Sequence, residues 1–171
     1  MSRLATAKVI LCFCLLTVLD GTVMPAFRIL SVYPSFLALF VCYAAFQWGA
    51  PKTVYIAFWA GLLRDLLGGG LIGLDAALWV LLALGLDFLV QKMEREVPWI
   101  YFIMTFLFVL FSELLRCLVG LAAGLPASLF GEYLGMMALT ALYTSVFLPL
   151  FSFLANGWFG RVATKQYELF R

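Results

Sequence analysis

The sequence predicts an all-α membrane protein, a single bundle of six transmembrane helices. Three observations carry this. Of its 171 residues, 65% are hydrophobic and only 12% are charged. A soluble domain carries about a quarter charged residues, because its surface must meet water. The mean hydropathy is +1.08. Folded in water, such a chain would expose large apolar patches, so hydrocarbon is its expected solvent. Finally, the apolar runs are cut into helix-length pieces by short clusters of charge, proline and glycine.

A crossing helix needs about 20 mostly apolar residues. The first run, 5–24, has Lys8 near one end and Asp20 near the other. Its basic start resembles a signal peptide, yet no small-residue cleavage site precedes a soluble domain, so it reads as a retained helix. Helices are expected next over 35–49 and, after a tight turn at Pro51–Lys52, over 53–67. The glycines Gly68, Gly69 and Gly70 break the third helix. A fourth follows over 74–90, a fifth over 98–120, and a sixth over 132–156, kinked or loosened at Pro149. The tail 157–171 places Phe159, Ala163, Tyr167 and Phe170 on one helical stripe. It is either a short helix lying on the membrane surface or a frayed basic end.

Basic residues set the expected orientation. With a cytoplasmic N-terminus, the inner segments hold Arg3, Lys8, Lys52, Lys92, Arg95, Arg161, Lys165 and Arg171, and the outer loops hold only Arg28. Both termini are therefore expected inside. The outer loops are too short to form a domain.

Catalytic and metal chemistry find little here. There is no histidine, the commonest general base and metal ligand. Cys12, Cys14, Cys42 and Cys117 lie in apolar runs and read as free thiols. Neither cofactor nor metal is expected, and the net charge of +2 gives no argument for nucleic acid.

Ionisable groups inside spans are costly and usually have partners, each costing about 2.5–3.5 kcal/mol on insertion scales. Arg64, Asp65, Glu113 and Arg116 share one layer in the outer half, and Asp20 at the outer end of the first helix can join them. Glu113 and Arg116, three apart, share a helix face. Asp87 lies near the inner end of the fourth helix, where it can snorkel. The layer is a structural ion-pair network or a substrate or proton site; no nucleophile or histidine accompanies it. The loop Gly68–Gly73 is no nucleotide loop, since no Lys-Ser/Thr follows and no strand precedes. Small-residue pairs Ala57/Gly61, Gly120/Gly124 and Gly131/Gly135 permit close helix packing, and Gly61, Gly120 and Gly124 are candidates for contact with a partner helix.

The run GLLRDLLGGGLIGLDAA, beginning at Gly61, resembles the MreD family of bacterial rod-shape-determining membrane proteins. The matching residues are Gly61, Asp65, Leu66, Leu67 and Gly68, then Leu71, Gly73 and Ala76–Ala77, with Ile72 between Leu71 and Gly73. Arg64 and the triple glycine depart from the commonest pattern. The resemblance implies a six-helix fold similar to the substrate-binding subunits of energy-coupling-factor vitamin transporters. It also implies a non-enzymatic inner-membrane scaffold of the machinery that elongates the peptidoglycan wall. The implied partners are MreC, a single-span protein with a periplasmic domain, and through it the cytoskeletal protein MreB and the wall synthases, all in a setting of membrane lipids. The alternative is a transport subunit whose charged layer lines a vitamin-sized pocket.

Overall fold

A computed structural model of the chain describes residues 3–23, 32–68, 72–92, 98–124 and 130–159. Among them lie six α-helices: α1 (Arg3–Val18), α2 (Phe36–Trp48), α3 (Ala50–Gly68), α4 (Leu74–Lys92), α5 (Pro98–Ala122) and α6 (Phe130–Phe159). The expected tail helix, Gly69 and Gly70 fall outside the described residues.

The centre of the bundle is α2. Its sequence is apolar on every face, the pattern of a helix with no outward side. Every residue from Leu37 to Phe46 is buried, and α2 touches each of the other five helices. Phe40 and Tyr43 on α2 meet Phe151 and Phe159 of α6, and Phe40 meets Phe13 of α1 edge-on at 5.2 Å between ring centres. At 13 residues α2 is only about 20 Å long.

The turn expected at Pro51–Lys52 lies earlier. Gly49, at φ 75°, reverses the chain by itself, and α3 starts at Ala50. Pro51 falls in the first helical turn, where a missing N–H costs no hydrogen bond. The α3–α4 pair is the most intimate in the molecule. A Cβ built on Gly61 would lie 2.6 Å from the backbone nitrogen and Cα of Ala76 and from the carbonyl oxygen of Asp75. Gly61 therefore serves packing inside the chain; it is not the surface for a partner helix that its spacing suggested. Gly124, at φ 103°, ends α5 through a turn in which its N–H donates to Leu121 O at 3.1 Å. It presents no helix face either.

Two helices differ from the expected outline. The first is not α-helical to residue 24: Leu19–Val23 widens into a π-helical turn, which re-aims Asp20, as such turns commonly do near functional groups. The sixth passes through Pro149 without ending, although Pro149 has no N–H to donate to the Ser145 carbonyl.

By length and composition, three helices among the described residues can cross a membrane: Leu74–Lys92, Trp99–Ala122 and Tyr133–Phe159. The other three fall short of six crossings for separate reasons. α1 has 16 residues and α2 has 13, while α3 carries Lys52, Arg64 and Asp65. Asp87 does not snorkel. It is 4% exposed and accepts a hydrogen bond from Gln91 one turn on.

Candidate functional site

The ionisable residues gather at the end of the bundle where α2 and α4 begin. Arg64 and Asp65 occupy the last turns of α3, Asp75 the first turn of α4, and Glu113 and Arg116 successive turns of α5. Asp75 is the hub, and nothing in the sequence reading had singled it out. Its side chain has no solvent exposure, yet it receives Arg116 Nη2 at 2.8 Å and Arg64 Nε at 3.6 Å on one carboxylate oxygen. Arg64 also binds Glu113 through Nη2 and lies over the Trp79 ring, 5.3 Å from its centre. Trp79 is itself pinned by its indole N–H, which donates to Ser112 Oγ at 2.7 Å. Two guanidinium groups and two carboxylates thus form a neutral quartet joining α3, α4 and α5. Neutrality by mutual pairing is the arrangement that makes buried charge tolerable in hydrocarbon.

Asp65 stands outside that quartet, contrary to the expected pairing with an arginine. Its carboxylate accepts the backbone N–H groups of Gly73 at 2.9 Å, Asp75 at 3.1 Å and Ala76 at 3.3 Å. These are N–H groups at the start of α4, which lack partners within their own helix. Asp65 caps α4 from the end of the preceding helix, and Gly73 (φ 95°) supplies the turn that folds α4 back to it. Asp20 does the same for α2: it accepts from Phe36 N at 2.9 Å, Leu37 N at 3.0 Å and the Ser35 hydroxyl at 3.5 Å. Both aspartates place negative charge at the positive end of a helix dipole.

Replacing Asp65 should separate these roles. Asp65→Ala strands three N–H groups, and is expected to destabilise the fold by about 1–3 kcal/mol. Asp65→Asn keeps an acceptor and should lose less. Thermal unfolding in detergent reads the order; equal losses would mean that the carboxylate does not cap α4.

Two cavities open on this layer. One of about 400 Å³ is lined by Asp20, Ser35, Arg64, Glu113 and Arg116, with Tyr33 and Thr140. The other, about 590 Å³, shares Glu113, Arg116 and Thr140 and adds Asp65, Cys117, Gly120 and Gly124. Gly68 admits Arg116 between them, since a Cβ there would sit 3.3 Å from Nη2. Every carboxylate that lines a cavity is already engaged by a backbone N–H or an arginine of this chain. Among the described residues no three His, Cys, Asp or Glu side chains gather as metal ligands.

Fold and site together define an all-helical membrane protein whose polar layer ties its own helices together. The family model described as rod shape-determining protein MreD matches residues 1–156. The chain belongs to that family and is a rod-shape-determining membrane protein. No curated protein and no solved structure is matched by the chain.

Proposed function

We propose that the chain is a non-enzymatic scaffold of the wall-elongation complex, holding the transmembrane helix of a single-span, MreC-like partner. In this reading all six helices cross the inner membrane and both termini are cytoplasmic, an orientation that the distribution of lysine and arginine supports. The family membership carries the reading. The polar layer supports it, because its arginines are engaged by carboxylates of the same chain and hold helices α3, α4 and α5 in place. The transport alternative finds support neither in the family match nor in that chemistry.

Partner contact needs a helix face that small residues leave open. Gly120 remains a candidate, while Gly61 and Gly124 do not. Gly131 and Gly135 on α6 join it: a Cβ built on either meets nothing among the described residues within 4 Å. Gly120→Leu and Gly135→Leu are expected to leave the bundle folded and to cut co-purification of the partner from native membranes about tenfold. A reporter active only in the cytoplasm should work when fused after Arg171. Unchanged partner recovery in both variants would end the docking proposal, and a silent cytoplasmic reporter would reverse the topology.

A further inference from the structure

We infer that the groove between α1 and α3 is a binding site for one anionic phospholipid, its headgroup at Lys52 and an acyl chain along the groove. The cavity measures about 840 Å³, within the range of about 300–1,000 Å³ typical of small-molecule sites. It runs on α3 from Pro51, beside Lys52, to Leu63 and on α1 from Val9 to Val18. At about 1.5 Å per residue the stretch of α3 from Lys52 to Leu63 is about 16 Å long. That is half of a hydrocarbon core of about 30 Å, the depth of a single leaflet. A partner helix crossing the whole bilayer would find a wall for only half its length, whereas an acyl chain fills such a depth from one side.

The walls favour the same occupant. Phe13, Tyr55 and Trp59 line the groove, and among the described residues no glycine does. Close helix packing in lipid needs small residues, while a flexible chain threads between bulky ones. Thr17 on the wall already donates to Phe13 O at 2.7 Å, so the depth of the groove is apolar. One charged group lines the cavity, Lys52 at its mouth, and among the described residues it has no ion-pair partner. A cation at the membrane surface beside aromatic rings selects an anionic headgroup, with each such lysine worth about 1 kcal/mol. The inference rests on α1 and α3 crossing the membrane, as proposed above, and is independent of which partner the scaffold holds.

The purified full chain in detergent would be offered phosphatidylglycerol or phosphatidylcholine of identical acyl chains, and bound lipid counted by native mass spectrometry. Wild-type protein is expected to retain one phosphatidylglycerol in preference to phosphatidylcholine. Lys52→Ala should lower phosphatidylglycerol retention about fivefold and leave phosphatidylcholine unchanged. Cys14→Trp adds bulk at an exposed position on the groove wall and should lower both. Helicity and elution volume check that each variant is folded. Equal retention of the two lipids by wild type, or unchanged retention in both variants, overturns the inference. So does a Cys14→Trp variant that keeps its lipid but sheds a second copy of the chain or a single-span protein. Partner recovery from the same variants separates this inference from the scaffold reading: loss of lipid with the partner retained leaves both standing, and loss of the partner alone assigns the groove to a helix.

Discussion

Asp75→Ala is expected to be the most damaging single substitution in the polar layer, costing about 3–5 kcal/mol. That is the usual penalty for removing one member of a buried ionic network. The carboxylate has no solvent exposure and faces two arginines. Its removal leaves Arg64 and Arg116 with Glu113 alone, an uncompensated positive charge between α3, α4 and α5. Folded yield and the unfolding temperature in detergent should both fall sharply. Asp75→Asn, which keeps the shape and removes the charge, should fall nearly as far. Combining Asp75→Asn with Arg116→Gln restores neutrality and should recover a good part of the loss. An Asp75→Ala protein that unfolds with wild type would mean that the network contributes nothing; a double variant worse than both singles would mean that the two residues do not interact through their charges.

Gly61→Ala is the second large effect, and its cause is steric. The added methyl would meet backbone atoms of Ala76 and Asp75 at 2.6 Å, and backbone cannot swing aside as a flexible side chain can. Helices α3 and α4 must separate, which also lifts Asp75 from Arg64. Overpacking costs about 1–3 kcal/mol, occasionally more, and the coupling to the ion cluster places this site at or above that range. Gly61→Leu should not fold. The control is Gly135→Ala: its methyl meets nothing among the described residues within 4 Å, and in a helix it should be neutral or stabilising by up to about 1 kcal/mol. If Gly61→Ala proves as benign as Gly135→Ala, the close approach of α3 to α4 is not as described.

The helices were legible because each is bounded by residues with strong local preferences, and because ionisable groups in apolar runs stand out. Arg64 pairs with Glu113, while Arg116 is joined to them through Asp75. Asp75 was missed because it looked like a residue of the loop and first turn. Depth along a single helix gave no sign that Gly73 would fold α4 back until its first turn lay beside Arg64. Asp65 was seen as polar and buried, but its partners are backbone N–H groups contributed eight to eleven residues later, and hydropathy carries no trace of them. The helical spacing of glycines was equally blind to direction. It marked Gly61 as a place of close packing without saying that the close neighbour is α4 of the same chain.

The shortness of α2 also constrains how the protein can be made. A helix of 13 residues cannot reach across about 30 Å of hydrocarbon alone, and as an early, solitary arrival it would drag its polar ends into lipid. One residue, Gly49, separates it from α3, so the two can enter the bilayer together as a helical hairpin. The caps at its far end come from Asp20 and Ser35, both synthesised earlier. Biogenesis would then run by co-insertion of a pair, with the central helix sheltered by its neighbours from the moment it leaves water.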